Sequence, residues 1–376
     1  MIKKGQQFAD PFLEIIKEDG KHMQEKRSGI LDFIKIIATI LILFHHYQQL
    51  MGVQFEQINF YGGKNFYFGN IVELFFVISG IVSVPYITRI EQGETFEDFF
   101  RGRYLRFFPM LLISTISYTV LLVLFYYCFG GWFEGEQIDL FKVLVSAFGA
   151  QVIWGNATCV INNPMWYISV LLVCYNTLYF CIWFARRIHI KKEYMFVGVI
   201  VIGMMLIIRG IDWPIFCGRT GRGFVSFFSG ILWEKYYYSK EKKKNGLAVF
   251  LVVATGLMFF GPLTGLAGGD TMIIFFGVAY FPALIGCLKT EQMDRILTGK
   301  MISEIAGVSF EAYIWHSGLY IVLLILLYTK GIAINLNSYG TMIMVVIMIE
   351  IFATVMYYLV EKPIYQWLKK DRQRKK

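Results

Sequence analysis

Ten apolar stretches, separated by short polar connections, take up most of this chain of 376 residues. They lie near residues 30–50, 70–88, 105–129, 165–185, 194–210, 223–238, 246–262, 271–288, 309–329 and 339–360. Crossing a hydrocarbon layer takes about 20 apolar residues in a helix, because only a helix satisfies its own backbone there. With 56% hydrophobic and only 17% charged residues, the chain is too apolar for a soluble globule of its size. The expected fold is all-α, a polytopic bundle of about ten transmembrane helices.

The cations orient this bundle. A net charge of +9 raises the question of nucleic acid, but no basic amphipathic face or RNA-type motif carries it. Instead, 27 of the 36 Lys and Arg residues fall in the N-terminal segment, the alternate connections and the tail, against four (Lys64, Lys142, Arg219, Lys330) in the others. That asymmetry places both termini in the cytoplasm. Residues 1–28 then form a cytoplasmic segment, 29–363 one membrane domain and 364–376 a basic cytoplasmic tail. The first apolar run reads as a retained signal anchor, since no small-residue cleavage site precedes it. LFKVLVSAFGAQVIW (140–154) is apolar but short, and an extra crossing there would turn the later basic clusters outward, so it is expected to be interfacial or re-entrant. Tyr61, Phe66, Tyr67, Trp132, Trp154 and Trp213 should mark the outer interface, and Tyr236 to Tyr238 and Trp367 the inner one. Six cysteines show no metal-ligand spacing, so no metal site is expected; Cys159 and Cys217 fall in outer loops, where a pairing stays open.

Ionisable residues inside spans are costly and mark function by default. Lys35 and His46 lie eleven positions apart in IKIIATILILFHH, almost on one helix face and roughly 16 Å apart along the axis. His45 lies about 80° off that face. Glu73 should lie at a depth similar to His46 on the next, antiparallel helix, where a carboxylate can orient an imidazole as a general base. Either residue alone is as readily an interfacial group reaching water. Arg103 and Arg106 in RGRYLRFFP share a face suited to chelating phosphate, although Arg at an inner helix end also serves as plain anchoring. His316 matters only if the ninth stretch packs beside the first. Glu361 reads as a surface acid, and Trp166 and Tyr175 either line a cavity or simply pack.

Taken together these stretches resemble the integral membrane acyltransferase family 3. LDFIKIIATILILFHH resembles its opening motif, with Asp32, Lys35 and His46 in place and Phe33 and Lys35 standing where Gly and Arg are usual. VELFFVISG carries Glu73 at the acidic position, and RYLRFFP gives RxxRxxP at Arg103, Arg106 and Pro109. MWYISVLLVCY matches at Trp166 and Tyr175 but has Leu171 where many members carry Glu. GVSFEAYIWHSGLY places His316 at a late His, and VEKP resembles the closing Glu–x–Pro.

The resemblance implies a multi-pass protein of the bacterial plasma membrane that moves an acyl group, by analogy acetyl, from cytoplasmic acetyl-CoA to an extracytoplasmic glycan or lipid-linked sugar. It implies donor phosphates on Arg103, Arg106 and Lys35, and His46 as general base or acyl acceptor, oriented by Glu73. His316 would assist at the oxyanion or line the donor channel, and Trp166 and Tyr175 would bind substrate. One continuous wet groove should join the arginine mouth to the imidazole. Two other classes fit the same charges: a transporter or exporter using them as a solute or proton path, and a structural partner in an envelope assembly.

Overall fold

The computed structural model describes residues 28–62, 66–154, 161–238, 245–260 and 269–374. They form an all-helical molecule with no β-strand among the described residues. Among the described residues seven helices are long and apolar enough to cross a membrane: α1 (Gly29–Met51), α2 (Phe68–Glu91), α3 (Phe96–Phe129), α5 (Asn163–Arg187), α9 (Asp270–Leu288), α11 (Lys300–Lys330) and α12 (Tyr339–Leu368). The other three expected stretches are helical but shorter: α6 (Lys192–Ile208), α7 (Gly218–Trp233) and α8 (Asn245–Phe260) have 17, 16 and 16 residues. At 1.5 Å per residue these reach only about 25 Å. A short α4 (Leu140–Ala147) and α10 (Glu291–Leu297) complete the set.

The stretch 140–154 forms a short helix and then doubles back. Its α4 runs down beside α3 until Phe148 stacks on Phe108 at 5.5 Å and its carbonyl accepts from Tyr104 Oη at 3.3 Å. The chain then reverses at Gly149, whose φ of 66° suits glycine. It returns toward the start of α5, where the Val152 N–H donates to Ser169 Oγ at 3.1 Å. A Cβ at residue 149 would also meet Leu111 and Leu172 at 3.1 and 3.3 Å.

Glycine sets the closest helix crossings. A Cβ on Gly80 of α2 would lie 2.0 Å from the Phe227 carbonyl oxygen of α7, and one on Gly230 would lie 2.3 Å from that of Val77. Between lipid-facing helices there is little hydrophobic gain in association, so close backbone packing supplies it. α7 repeats the device on its other side, where Gly221 meets Gly203 of α6.

The Lys/Arg-rich end of the bundle is laced by ion pairs: Lys192 to Glu91, Lys235 to Glu193, and Lys289 to Glu234 at 2.7 Å. At the opposite end, buried Gln48 gathers the loop that follows α1. Its Oε1 accepts from the Phe60 and Tyr61 N–H groups, and its Nε2 donates to Asn59 Oδ1 at 3.0 Å. α1 is fixed to α11 by Tyr320 Oη donating to the Leu43 carbonyl at 2.8 Å. Cys217 is a buried free thiol beside Thr220; Cys159, with which a pairing stayed open, lies outside the described residues.

Replacing Gly80 by Val should push α2 and α7 apart and cost at least the ~1–3 kcal/mol of an overpacked core. Thermal melting in detergent checks this against Gly246→Ala, which meets open space and should melt like the wild type.

Candidate functional site

α1 and α11 pack against each other, and where they cross they bring two imidazoles face to face. The His46 and His316 rings are stacked, with centroids 4.8 Å apart and planes at 27°. His46 Nδ1 is 3.0 Å from Gln49 Oε1, one helical turn on. His316 Nδ1 is 2.6 Å from the Tyr313 carbonyl, which can only accept. Both rings therefore carry their proton on Nδ1 and present the Nε2 lone pair. The Nε2 of His316 is buried and has no hydrogen-bond partner among the described residues, an arrangement whose cost asks for a functional reason. His45 follows the same rule: its Nδ1 donates to the Phe60 carbonyl at 2.8 Å, and its ring lies edge-on to Tyr61, Tyr67 and His46.

Glu73 does not orient His46, contrary to the expectation from matched depth. Its fully buried carboxylate is gripped by the Arg222 guanidinium, through Nε to Oε1 and through Nη2 to Oε2 at 2.9 Å. Nη2 also donates to the Gly69 carbonyl at 3.0 Å. A planar guanidinium matches a carboxylate in both bonds, and it outcompetes a neutral ring for the same oxygens. α7 supplies Arg222 from 149 residues away. Trp166 covers this pair, its ring centroid 5.1 Å from the Arg222 guanidinium carbon and 5.6 Å from that of Arg219. Arg219 in turn donates to Asn163 Oδ1 at 3.0 Å.

On the Lys/Arg-rich side of the histidines lies a cavity of about 410 Å³. Lys35, Arg106 and Lys362 line it, with Glu361, Ser309 and Tyr175. Lys35 is also 3.4 Å from Asp32 Oδ1. Three cations around one chamber make a receptive surface for phosphate. Arg103 is not among the lining residues. Its guanidinium lies 3.5 Å from the centre of the Tyr86 ring, with Phe99 and Tyr175 beyond. The three-residue spacing to Arg106 gives a shared helix face, but an aromatic cage draws Arg103 away. Glu361 is no surface acid: it lines the cavity beside Glu311, whose Oε2 accepts from the Trp315 indole N–H at 2.7 Å. Tyr175 lines the chamber as expected, whereas Trp166 belongs to the outer ion pair.

The expected continuous groove is interrupted. The cavity ends at Thr39, Tyr167 and Tyr313, and neither His46 nor His316 is in its wall. Tyr313 stands between, its ring 5.8 Å from His316 and its hydroxyl bonded to the Pro164 carbonyl. Thr39 lies seven residues before His46, so about 10 Å of α1 separates the chamber from the imidazole. Among the described residues no group of three metal-binding side chains occurs.

Sequence reasoning missed Arg222 and Gln49. A cation at a span edge was visible for the first, but nothing local named its partner; the second sits one turn from His46 and was legible as a candidate ring partner.

The Glu73–Arg222 pair has a measurable signature. Glu73→Gln should leave a buried guanidinium unpaired and cost ~3–5 kcal/mol, whereas Glu73→Gln with Arg222→Gln should recover much of that loss. Thermal unfolding of the four proteins in detergent closes the cycle; equal losses in single and double variants would remove the pair from the account.

Compared with known proteins, the chain is matched from residue 29 to residue 361 by a family model described as an acyltransferase domain. No curated protein and no solved structure matches it.

Proposed function

Because the chain belongs to the acyltransferase family 3, we propose that it transfers an acyl group, acetyl by family analogy, from a cytoplasmic acyl-CoA to a hydroxyl presented at the outer end of the bundle. The observation that carries this reading is the stacked His46–His316 pair with both Nε2 lone pairs facing away from their Nδ1 anchors. It lies beyond a chamber lined by Lys35, Arg106 and Lys362.

The donor's phosphates lie against these three cations, and the pantetheine arm extends along α1 toward His46. For the thioester to arrive, the Tyr313 ring turns aside. The Nε2 of His46 takes the proton of the acceptor hydroxyl as that oxygen attacks the thioester carbonyl. The carbon–sulfur bond breaks, the thiolate leaves, and the imidazolium returns the proton to sulfur. His316, stacked on the ring that gains charge, fixes its orientation and keeps water from it. Gln49 holds the productive tautomer, accepting from Nδ1 throughout. Glu73 and Arg222 serve by holding α2 and α7 together beside this centre, with Trp166 over them. The acceptor is an extracytoplasmic carbohydrate, free or lipid-linked.

Labelled acetyl-CoA in proteoliposomes tests the scheme. His46→Ala should lower acceptor-dependent CoA release by ~10²–10⁴-fold while its melting temperature stays near that of the wild type. Arg106→Gln should chiefly raise the Michaelis constant for the donor. Near-normal release by His46→Ala would reject the base role.

A further inference from the structure

A second concavity, more than twice the volume of the donor chamber, lies on the opposite side of α1. A groove of about 940 Å³ runs between α1, α2 and α9. One wall is the face of α1 bearing Ile30, Ile34, Ile37 and Leu41; the other carries Leu74 and Phe281. Lys35 and Thr39, on the other side of α1, face the donor chamber. One helix therefore divides a cationic cavity from an apolar groove, and the imidazole pair stands at its far end.

The groove has a polarity gradient. It is aliphatic and aromatic from Ile30 and Leu288 upward, and its amides, Gln54, Gln57 and Asn59, gather at the outer end. Tyr280 also lines it, but its hydroxyl is paired with Thr255 Oγ1 at 3.0 Å. The amide end connects to the histidines through one loop. Asn59 is held by Gln48, the carbonyl of the next residue, Phe60, accepts from His45 Nδ1 at 2.8 Å, and His45 lies 5.1 Å from His46, ring to ring. A polar head resting at this end would lie on the loop that His45 holds, next to the helix end that carries His46.

We propose that this groove seats the hydrocarbon tail of a lipid-linked sugar acceptor, with the sugar hydroxyls on Gln54 and Gln57, while Asn59, bonded to Gln48 and to the Phe55 backbone, fixes the loop that carries them. The inference rests on the acyl-transfer reading and specifies its acceptor as membrane-anchored. Amides both donate and accept hydrogen bonds, as a sugar's hydroxyls require. A tail already dissolved in the bilayer gains little hydrophobic free energy by entering the groove. Its contribution is orientation: it fixes the depth and direction of the head, converting a lateral encounter into a positioned one. Ile37, 43% exposed, points into the space the tail would occupy.

The test uses glucosides whose alkyl tail carries a photoactivatable diazirine, in proteoliposomes, with peptide mapping by mass spectrometry. The tailed glucoside should label peptides of α1 around Ile34 to Leu41 and of α9 around Phe281 to Leu288. Ile37→Trp, which fills the groove from an exposed position, should cut that labelling at least fivefold, while Ile347→Trp on the exposed face of α12 should not. A phosphatidylcholine with the same tail should label these peptides more weakly than it labels α12. Equal labelling by both lipids, or labelling unaffected by Ile37→Trp, overturns the proposal. These readouts need no turnover, so they separate the groove from the transfer reaction. In the transfer assay, Ile37→Trp should raise the Michaelis constant for dodecyl glucoside about tenfold and leave that for methyl glucoside unchanged. If no glucoside is acylated by the wild type, the fault lies with the transfer reading and the labelling still decides the groove.

Discussion

Two stacked rings, each with one nitrogen committed to an acceptor, leave the buried Nε2 lone pair of His316 without a partner among the described residues. Placing an imidazole where α1 crosses α11 costs solvation, and the Tyr313 carbonyl and the Gln49 amide return only part of it. The remaining polar capacity is available to a substrate. Everything else in the bundle either holds these helices at this distance or leads toward the rings.

The holding is done with a few close contacts. Tyr320 ties α11 to the α1 backbone, and Gln48 folds the following loop over the histidines. Gly80 and Gly230 let α2 and α7 approach backbone to backbone, and Glu73 with Arg222 locks that crossing near its outer end. An ion pair so placed is a poor source of net stability but a strong fixer of register, because a shifted helix would strand a buried charge. At the Lys/Arg-rich end the ion pairs are more exposed and serve as lacing.

The apolar stretches made the helical fold readable, since bilayer thickness acts on local sequence. The short 140–154 was set apart from the long helices by its length, and it folds back on itself at Gly149. His46, Lys35 and Arg106 were found because charge inside a span is conspicuous. The errors share a cause, which is that depth and helix face do not name a partner. Glu73 has the depth of His46 yet meets Arg222, whose helix lies far along the chain. Arg103 shares a face with Arg106 yet turns to Tyr86. Glu361 follows a helix end that looks exposed, but α11 brings Glu311 against it. Pairing between distant helices is a tertiary fact, and a single sequence carries no local signal for it.

In the proposed reaction the donor passes from the cationic chamber to the imidazole pair across the Tyr313 ring. Its most direct test is a cryo-EM structure of the protein with a non-hydrolysable acetyl-CoA analogue. The phosphates should lie on Lys35, Arg106 and Lys362, with the Tyr313 ring displaced and the acyl carbon within reach of His46 Nε2. An analogue bound elsewhere, or one seated in the chamber with its acyl end turned away from an undisturbed Tyr313, would contradict the proposed reaction.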